Sequence, residues 1–304
     1  MNPPRLRWPL EALWEQVVPV WPGFTAEVLP ELDSTNSELM RRARAGGCDP
    51  VLLVAEHQTA GRGRLGRTWQ SSPEARDLTF SLGLPWHSGQ ALSGLSLAVG
   101  VAVARSLHPS IRLKWPNDLW WNARKLGGIL IETTPMPQAG SYPSAGLYVV
   151  IGVGLNVFPR SSEGLHTHPV SLQEIEQDCQ EKHLAPRLDA AGALQRIIPV
   201  LVQALEQFRV QGFAPFVDEF LARDALAGLE VTVRPGAPTA ARTSASMSQG
   251  MAAAVRTGDA GDVTGLACGV NAEGALLIKT PQGLQEVRSS EVTLRSNKGE
   301  QGAT

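Results

Sequence analysis

Cysteine is scarce in this chain of 304 residues, and no metal-binding pattern replaces it. Cys48, Cys179 and Cys268 stand far apart and include no C-x-x-C pair. This spacing excludes a zinc finger and a disulfide framework, so we expect three free thiols in a reducing compartment. His166 and His168 form an H-x-H pair, but no third ligand lies nearby in the sequence. We therefore interpret the two histidines as loop residues.

The sequence also lacks long apolar runs and a surplus of charge of either sign. No apolar run reaches the roughly 20 residues that a membrane helix needs, and the N-terminal segment has no apolar signal region. The 27 basic and 29 acidic residues leave a formal charge of −2. A protein that mainly binds nucleic acid normally has a basic surplus. We therefore expect a cytoplasmic protein with neither DNA nor a membrane as a partner.

The composition is otherwise that of a globular protein, with 43% hydrophobic residues and a length that favours two domains. Residues 1–26 are predicted to be an N-terminal extension of one or two helical turns, too short for a helix-turn-helix domain. Residues 27–227 mix hairpin-spaced strands with separate helices. This pattern predicts an α+β catalytic domain, with a mixed β-sheet and helices on one face.

From residue 228 the pattern changes to short strands separated by turns, which predicts a small all-β unit over residues 228–296. Inside it, residues 235–262 consist mostly of Ala, Ser, Thr and Gly. Such a composition buries too little apolar surface to fold by itself. We interpret this segment as a flexible insertion and residues 297–304 as a disordered tail.

The most informative motif is the loop Gly61–Arg67, in which three glycines and three arginines alternate. It follows the apolar run Val51–Ala55, which is typical of a buried strand. Glycine lets a backbone approach a ligand closely, and arginine offers planar donors that fit carboxylate and phosphate oxygens. The motif predicts a loop that closes over an anionic small molecule. The alternatives are an RNA-binding Gly-Arg segment and ordinary surface arginines.

A second motif begins a predicted helix of about three turns. Thr35 and Glu38 have the spacing of a capping box, in which a hydroxyl and a carboxylate satisfy the first backbone N–H groups. The helix start, with Ser34 and Asn36, is equally suited to present hydroxyls and backbone donors to a ligand. The segment alone does not decide between these two roles.

Two further motifs are lysine and glycine segments in predicted strands. In Lys114–Asp118 and Arg124–Glu132, a lysine followed by two glycines suits a pocket wall, although an ordinary lysine lies on the surface. In Gly152–Asn156, glycines interrupt a strand, which suits the approach of a flat ring as well as a simple bulge.

Together, in this order and spacing, the segments Asp33–Asn36, Gln58–Trp69, Lys114–Asp118, Arg124–Leu130 and Gly152–Asn156 resemble the biotin–protein ligase family. The chain is similar to the monofunctional type that has no DNA-binding domain. The resemblance implies a class II synthetase-like catalytic domain followed by a small SH3-like β-barrel. It also implies two substrates, biotin and ATP, which form biotinoyl-5′-AMP and pyrophosphate with Mg²⁺.

The resemblance further implies that biotin is then transferred to a lysine of the biotin carboxyl carrier domain of acetyl-CoA carboxylase, and that the chain forms a homodimer. It also implies catalytic roles for Lys125, Arg62 and Arg64. The residues implied for biotin are Ser34, Thr35, Asn36, Gln58, Gly61, Arg62, Gly63, Arg64, Lys125, Gly127 and Gly128. Those implied for ATP or the adenylate are Arg62, Arg64, Arg67, Trp69, Asn117, Lys125, Gly154 and Asn156. Asp118 is the candidate metal ligand.

Two other functions remain open from the sequence. A lipoate–protein ligase or octanoyltransferase has the same core fold, although the Gly61–Arg67 loop and Lys125–Gly128 fit the biotin type better. A biotin sensor without catalysis, or a nucleic-acid binder that uses the arginines, is the alternative from another class. The net charge opposes the nucleic-acid binder.

Overall fold

The computed structural model describes residues 6–70, 77–86, 89, 91–137, 146–162, 167–179, 188–235, 262–288 and 292–296. One compact unit contains the described residues up to Ala225 and the segment Ala272–Gly274, and the other contains the remaining described residues from Leu226. Residues 236–261 of the predicted insertion, and the predicted tail, lie outside the described residues. The predicted domain boundaries stay predictions. No helix in the described ranges is long and apolar enough to cross a membrane.

The first unit is built on a seven-stranded sheet with the strand order β1-β2-β3-β7-β6-β5-β4. Strands β1 and β2 pair in parallel, and all the other neighbours are antiparallel, so the predicted mixed sheet is confirmed. The strands are β1 (Thr25–Leu32), β2 (Val51–Gln58), β3 (Leu78–Trp86), β4 (Arg112–Lys114), β5 (Asp118–Trp121), β6 (Arg124–Pro135) and β7 (Leu147–Leu155).

Six α-helices accompany this sheet among the described residues. They are α1 (Leu10–Val17), α2 (Thr35–Arg44), α3 (Leu95–Leu107), α4 (Leu172–Asp178), α5 (Ala190–Gln211) and α6 (Val217–Arg223). The long helices α3 and α5 are the most apolar, because ten of the thirteen residues of α3 and one face of α5 are buried. Burial of these faces against each other and the sheet supplies the main apolar driving force of this unit.

Helix α2 lies on the opposite face of the sheet from α3. A Cβ on Gly152 would meet the side chain of Asn36 in α2, whereas Gly100 in α3 contacts the side chain of Ile129. Ile129 pairs with Val153, the neighbour of Gly152, and successive residues of a strand point to opposite faces. The prediction of helices on one face therefore describes α3 and α5, with α2 as the exception.

The start of α2 differs from the predicted capping box. Ser34 is the N-cap, because its hydroxyl accepts a hydrogen bond from the backbone N–H of Ser37, and Thr35 is already the first helical residue. The predicted cap at Thr35 is therefore wrong by one residue. Glu38 instead forms ion pairs with Arg41 at 2.6 Å and Arg42 at 2.8 Å, which support the helix surface.

The second unit is a five-stranded antiparallel sheet with the order β11-β10-β9-β8-β12. Its buried side chains include Val231 and Val233 of β8 and Leu276 and Ile278 of β10, the two strands that flank β9. The prediction of a small C-terminal β-unit is confirmed. Its strands are β8 (Glu230–Pro235), β9 (Val263–Val270), β10 (Leu276–Thr280), β11 (Gly283–Val287) and β12 (Val292–Ser296).

Candidate active site

Five separate segments of the first unit converge on one open cavity of about 150 Å³. They are the start of α2, the loop after β2, the start of β3, the β5–β6 region and the glycine-containing end of β7. Four cationic side chains line the cavity and only one carboxylate does, which favours an anionic ligand. The lining residues are Ser34, Thr35, Asn36, Gln58, Arg62, Gly63, Arg64, Arg67, Thr68, Trp69, Thr79, Phe80, Asn117, Asp118, Lys125, Gly128, Ile129, Leu130, Gly152, Val153 and Gly154.

One wall of the cavity is a buried polar network at the first turn of α2. The backbone N–H and the hydroxyl of Thr35 donate to Oε1 of Gln58, at 2.8 and 3.2 Å. The hydroxyl oxygen of Ser81 in β3 lies 2.6 Å from both Thr35 Oγ1 and Asn36 Oδ1. All four side chains are buried, so these contacts fix their orientations. The wall therefore presents fixed donors and acceptors to a neutral polar ring.

Two glycines of β7 lie next to this wall. A Cβ on Gly152 would lie 2.2 Å from Oδ1 of Asn36, and a Cβ on Gly154 would lie 2.6 Å from the indole ring of Trp69. Any side chain at these positions would displace the lining residues. Trp69 Nε1 is buried and has no hydrogen-bond acceptor among the described residues. Packing of Trp69 on the bare backbone therefore leaves this donor buried without an acceptor in the described part of the chain.

The arginine loop forms a small hairpin. The N–H of Gly63 donates to the carbonyl of Arg67 at 2.7 Å, and the N–H of Trp69 donates to the carbonyl of Gly61 at 2.9 Å. The turn between them has positive φ at Leu65 (55°) and Gly66 (73°), and the glycine at the second position adopts this conformation without strain. The hairpin orients the arginine side chains toward the cavity.

Two arginines of this loop are held by partners on other segments. Arg62 donates to Oε1 of Glu132 in β6 at 2.6 Å and to the hydroxyl of Ser37 at 3.1 Å. Arg64 donates to Oδ1 of Asn117 at 3.2 Å. Burial lowers the pKa of Arg64, and the carboxylate of Asp118 opposes that effect. A guanidinium in this setting gains from an added anion, because the anion replaces lost hydration.

Lys125 lies near the start of β6 and lines the cavity. Its ammonium donates to Oδ1 of Asp118 at 2.7 Å, and a Cβ on Gly128 would lie 3.5 Å from Lys125 Nζ and from that oxygen. The backbone of Lys125 is fixed by hydrogen bonds with His168 and Val170. An ammonium has three donors, and the contact with Asp118 uses one of them, so two remain for a ligand.

Lys114 belongs to the Lys114–Asp118 motif, but the sequence alone indicates no role for its ammonium. Its Nζ lies 4.0 Å from the centroid of the Trp120 ring. Burial lowers the pKa of Lys114, Asp118 opposes this effect, and the nearby charges of Lys125 and Arg67 add to it. The pairing of Lys114 with Asp118 between β4 and β5 places this cation beside the cavity. Lys114 is the last residue of β4, directly before the turn that leads to β5.

Asp118 is the only predicted metal ligand, and its surroundings are cationic. Its carboxylate accepts from Lys125, and the described residues contain no cluster of three or more His, Cys, Asp or Glu side chains. A dedicated Mg²⁺ site needs several oxygen ligands, and with ATP most of them are phosphates and water. The described residues therefore do not fit an independent metal site, and we assign no catalytic step to a metal.

Three predicted site residues lie outside the cavity lining. Asn156 is buried behind Lys125, where its side-chain amide donates to the carbonyls of Lys125 and Val170 at 3.2 and 3.1 Å. Gly127 packs closely on the backbone of β7, and Gly61 packs on the backbone of the loop at Trp69. These residues support the residues that line the cavity. All other predicted site residues line it.

Comparison with known proteins agrees with this arrangement. The model of the Biotin/lipoate A/B protein ligase family matches residues 31–156, which contain all the lining residues. The model of the Biotin protein ligase C terminal domain matches residues 254–295. The two matches follow the order of the two units.

Individual relatives extend the match over most of the chain. The bifunctional ligase/repressor BirA of Escherichia coli K12 is 30% identical over 292 residues, which cover 93% of this chain and 78% of the relative. The biotin–[acetyl-CoA-carboxylase] ligase of Paracoccus denitrificans is 30% identical over 276 residues, which cover 87% and 98%.

Solved structures give the same result for the fold. The biotin protein ligase of Aquifex aeolicus, in complex with biotin and ATP, superposes with a TM-score of 0.65 and 26% identity, covering 89% of this chain and 98% of that one. The fold and the near-complete coverage of a relative at 30% identity agree. This chain therefore belongs to the biotin protein ligase family.

Proposed function

We propose that this chain is an ATP-dependent biotin–protein ligase. It joins biotin to ATP, giving biotinoyl-5′-AMP and pyrophosphate, and transfers the biotinyl group to a lysine of the carrier domain of acetyl-CoA carboxylase. The observation that carries the proposal is the convergence of Lys125 and the arginine loop on one cavity. The names of the Paracoccus denitrificans and Mycobacterium tuberculosis relatives, both biotin–[acetyl-CoA-carboxylase] ligases, support the choice of carrier.

The first step joins two anions, and the cationic residues reduce their repulsion. A biotin carboxylate oxygen attacks the α-phosphorus of ATP, the bond to the bridging oxygen breaks, and pyrophosphate leaves with that electron pair. Lys125, Arg62 and Arg64 all line the cavity, so their charges are suited to offset those of the carboxylate and the α-phosphate. Such a site acts by positioning the reactants and stabilising charge, so no covalent enzyme intermediate is needed.

The second step transfers the activated acid to an amine. The neutral lysine of the carrier attacks the carbonyl carbon of biotinoyl-5′-AMP, the amide forms, and AMP leaves. Because the mixed anhydride hydrolyses readily, the cavity must exclude water until the carrier arrives. The arginine loop and Trp69 line the cavity and suit this task.

The matching family model includes lipoate ligases as well as biotin ligases, so the acid must be tested directly. We expect the purified chain to catalyse ATP–pyrophosphate exchange with biotin, and not with lipoate or octanoate. We also expect it to label a recombinant carrier domain with biotin only when ATP is present. Exchange that prefers lipoate would favour the lipoate ligase, and biotin binding without exchange would favour a sensor.

We predict that Arg64→Ala releases biotinoyl-5′-AMP at least about tenfold faster than the wild type, because one charge-assisted contact is worth about 1.5–3 kcal/mol. The measurement is the release of labelled adenylate after removal of free biotin and ATP. Arg44→Ala is the matched control, since Arg44 is exposed at the end of α2. Equal retention of the adenylate by both variants and the wild type would contradict a loop that holds the intermediate.

We also propose a cytoplasmic location and a homodimer for this enzyme. Strand β1 is at the edge of the seven-stranded sheet, and edge strands are able to pair with a second copy of the chain. Sedimentation velocity of the purified protein tests the assembly. A monomer mass at micromolar concentration would contradict the dimer.

A further inference from the structure

Arg160, five residues after the end of β7, connects three separate segments through one guanidinium nitrogen. Its NH1 donates to the carbonyl of Gln70 at 2.9 Å, to Oδ1 of Asn156 at 3.2 Å and to Oδ2 of Asp77 at 3.3 Å. The side chain of Arg160 is 13% exposed and that of Asp77 is 2% exposed. A nearly buried arginine with three hydrogen-bond partners is held in one position. None of the motifs described above includes it.

We propose that Arg160 is a positioning residue, which fixes the arginine loop relative to the strand that carries Lys125. This proposal rests on the proposed function and names a further residue that the ligase needs. Gln70 directly follows Trp69, so its carbonyl marks the C-terminal end of the loop. At the other end, the N–H groups of Thr59 and Ala60 donate to backbone carbonyls at the end of β1. Arg160 supplies the anchor at the end that leads away from the hairpin.

The connection to Lys125 runs through Asn156. The side-chain amide N–H of Asn156 donates to the backbone carbonyl of Lys125 at 3.2 Å, while its Oδ1 accepts from Arg160. The backbone N–H of Asn156 also donates to the carbonyl of Leu126 at 2.9 Å. One guanidinium and one amide therefore link the loop of Arg62 and Arg64 to the backbone of Lys125. Reactive groups that come from separate segments need such a link, because small displacements cost large factors in rate.

Asp77 is the charged partner of Arg160. Burial raises the pKa of Asp77 to about 7, and the charge of Arg160 opposes this shift. A buried ion pair of this kind contributes little net stability, since desolvation offsets the attraction between the charges. Its effect is to hold Arg160 at one place, where the same nitrogen reaches Gln70 and Asn156.

The test separates the positioning role from the ion pair. Asp77→Asn removes the buried charge and keeps an oxygen that accepts from Arg160, so we expect its activity to stay within about threefold of the wild type. Asp77→Asn/Arg160→Leu removes both charges together and also removes the anchor. We expect this double variant to release biotinoyl-5′-AMP about tenfold faster and to exchange pyrophosphate about 10- to 100-fold more slowly, as expected for a displacement of the order of 1 Å.

The readouts are the kcat and biotin KM of pyrophosphate exchange, the adenylate release rate and the thermal unfolding midpoint. A merely structural role predicts a lower midpoint with adenylate release equal to that of Asp77→Asn, and this result would overturn the proposal. If this double variant does not fold, Asp77→Asn/Arg160→Met gives the same test, because methionine keeps an unbranched side chain but has no donor for the three acceptors. Wild-type release by Asp77→Asn/Arg160→Met would also overturn it. Absence of biotin-dependent exchange in the wild type would instead refute the proposed function.

Discussion

Replacement of Lys125 by alanine is expected to lower the rate of biotin-dependent ATP–pyrophosphate exchange by about 10²- to 10³-fold, the usual cost of removing one preorganised donor to a developing charge. The carboxylate and the α-phosphate must approach each other, and Lys125 lines the cavity together with the arginines of the loop. Its backbone is fixed by hydrogen bonds with His168 and Val170, so the ammonium reaches the reactants with little freedom to lose.

The fold is expected to survive this substitution. The side chains of Lys125 and Asp118 are 29% and 21% exposed, so the loss of their ion pair leaves a carboxylate that water is able to reach. Pairs that are partly exposed contribute about 1 kcal/mol or less to stability. The thermal unfolding midpoint of Lys125→Ala should therefore remain close to that of the wild type, which separates a catalytic loss from unfolding.

Lys279→Ala is the matched control for this experiment, because Lys279 is an exposed lysine in the other unit. It removes the same side chain and the same charge at a residue that does not line the cavity. A further measurement uses synthetic biotinoyl-5′-AMP, for which the first step is not needed. Lys125→Ala should transfer biotin from this compound far better than from biotin and ATP. Wild-type exchange by Lys125→Ala would show that the cavity does not use this lysine.

The sequence predicted the sheet and the separate β-unit well, because their strands are buried and apolar. Strand β1 was missed, since it is a partly exposed edge strand with Pro30 and shows no apolar pattern. Helix α4 was also missed, although Ser171 and Glu174 form the capping box that begins it. The same spacing at Thr35 and Glu38 does not form a cap. Local spacing identifies a cap only when the backbone geometry of the entering chain also fits.

The sequence indicates most of the residues that line the cavity, but it does not indicate the residues that support them. The glycine and arginine residues have a local signature, because close approach and charge restrict which residues are suitable. Arg160, Glu132 and Ser81 have no such signature, since each acts through partners that are distant in the sequence. Asn156 is the opposite case. The resemblance implies a contact with ATP or the adenylate, whereas its amide contacts the backbone of Lys125 and Val170 and lies outside the lining. Only the fold reveals which polar side chains support others.

Gly152→Ala is expected to lower the kcat/KM for biotin in pyrophosphate exchange by about 100-fold, the effect of a displacement of about 1 Å at a site. The added Cβ would lie 2.2 Å from Oδ1 of Asn36. Asn36 cannot turn away easily, because its amide donates to Glu132 at 3.0 Å and its oxygen lies 2.6 Å from Ser81 Oγ. The substitution must therefore displace the first turn of α2 or the strand β7, and both line the cavity.

Gly47→Ala adds the same methyl group as a matched control, and its Cβ would be 3.4 Å from the nearest atom, the carbonyl oxygen of Arg42. It should leave the kcat/KM for biotin unchanged. Overpacking at Gly152 also costs about 1–3 kcal/mol of stability, which the unfolding midpoint reports separately. In Gly152→Ala/Asn36→Ala the clash is removed, so stability should recover while biotin binding stays weak, because the polar wall has lost its amide. Recovery of both stability and kcat/KM in that double variant would show that Asn36 only fills space, and the polar wall would then have no part in recognising the ring of biotin.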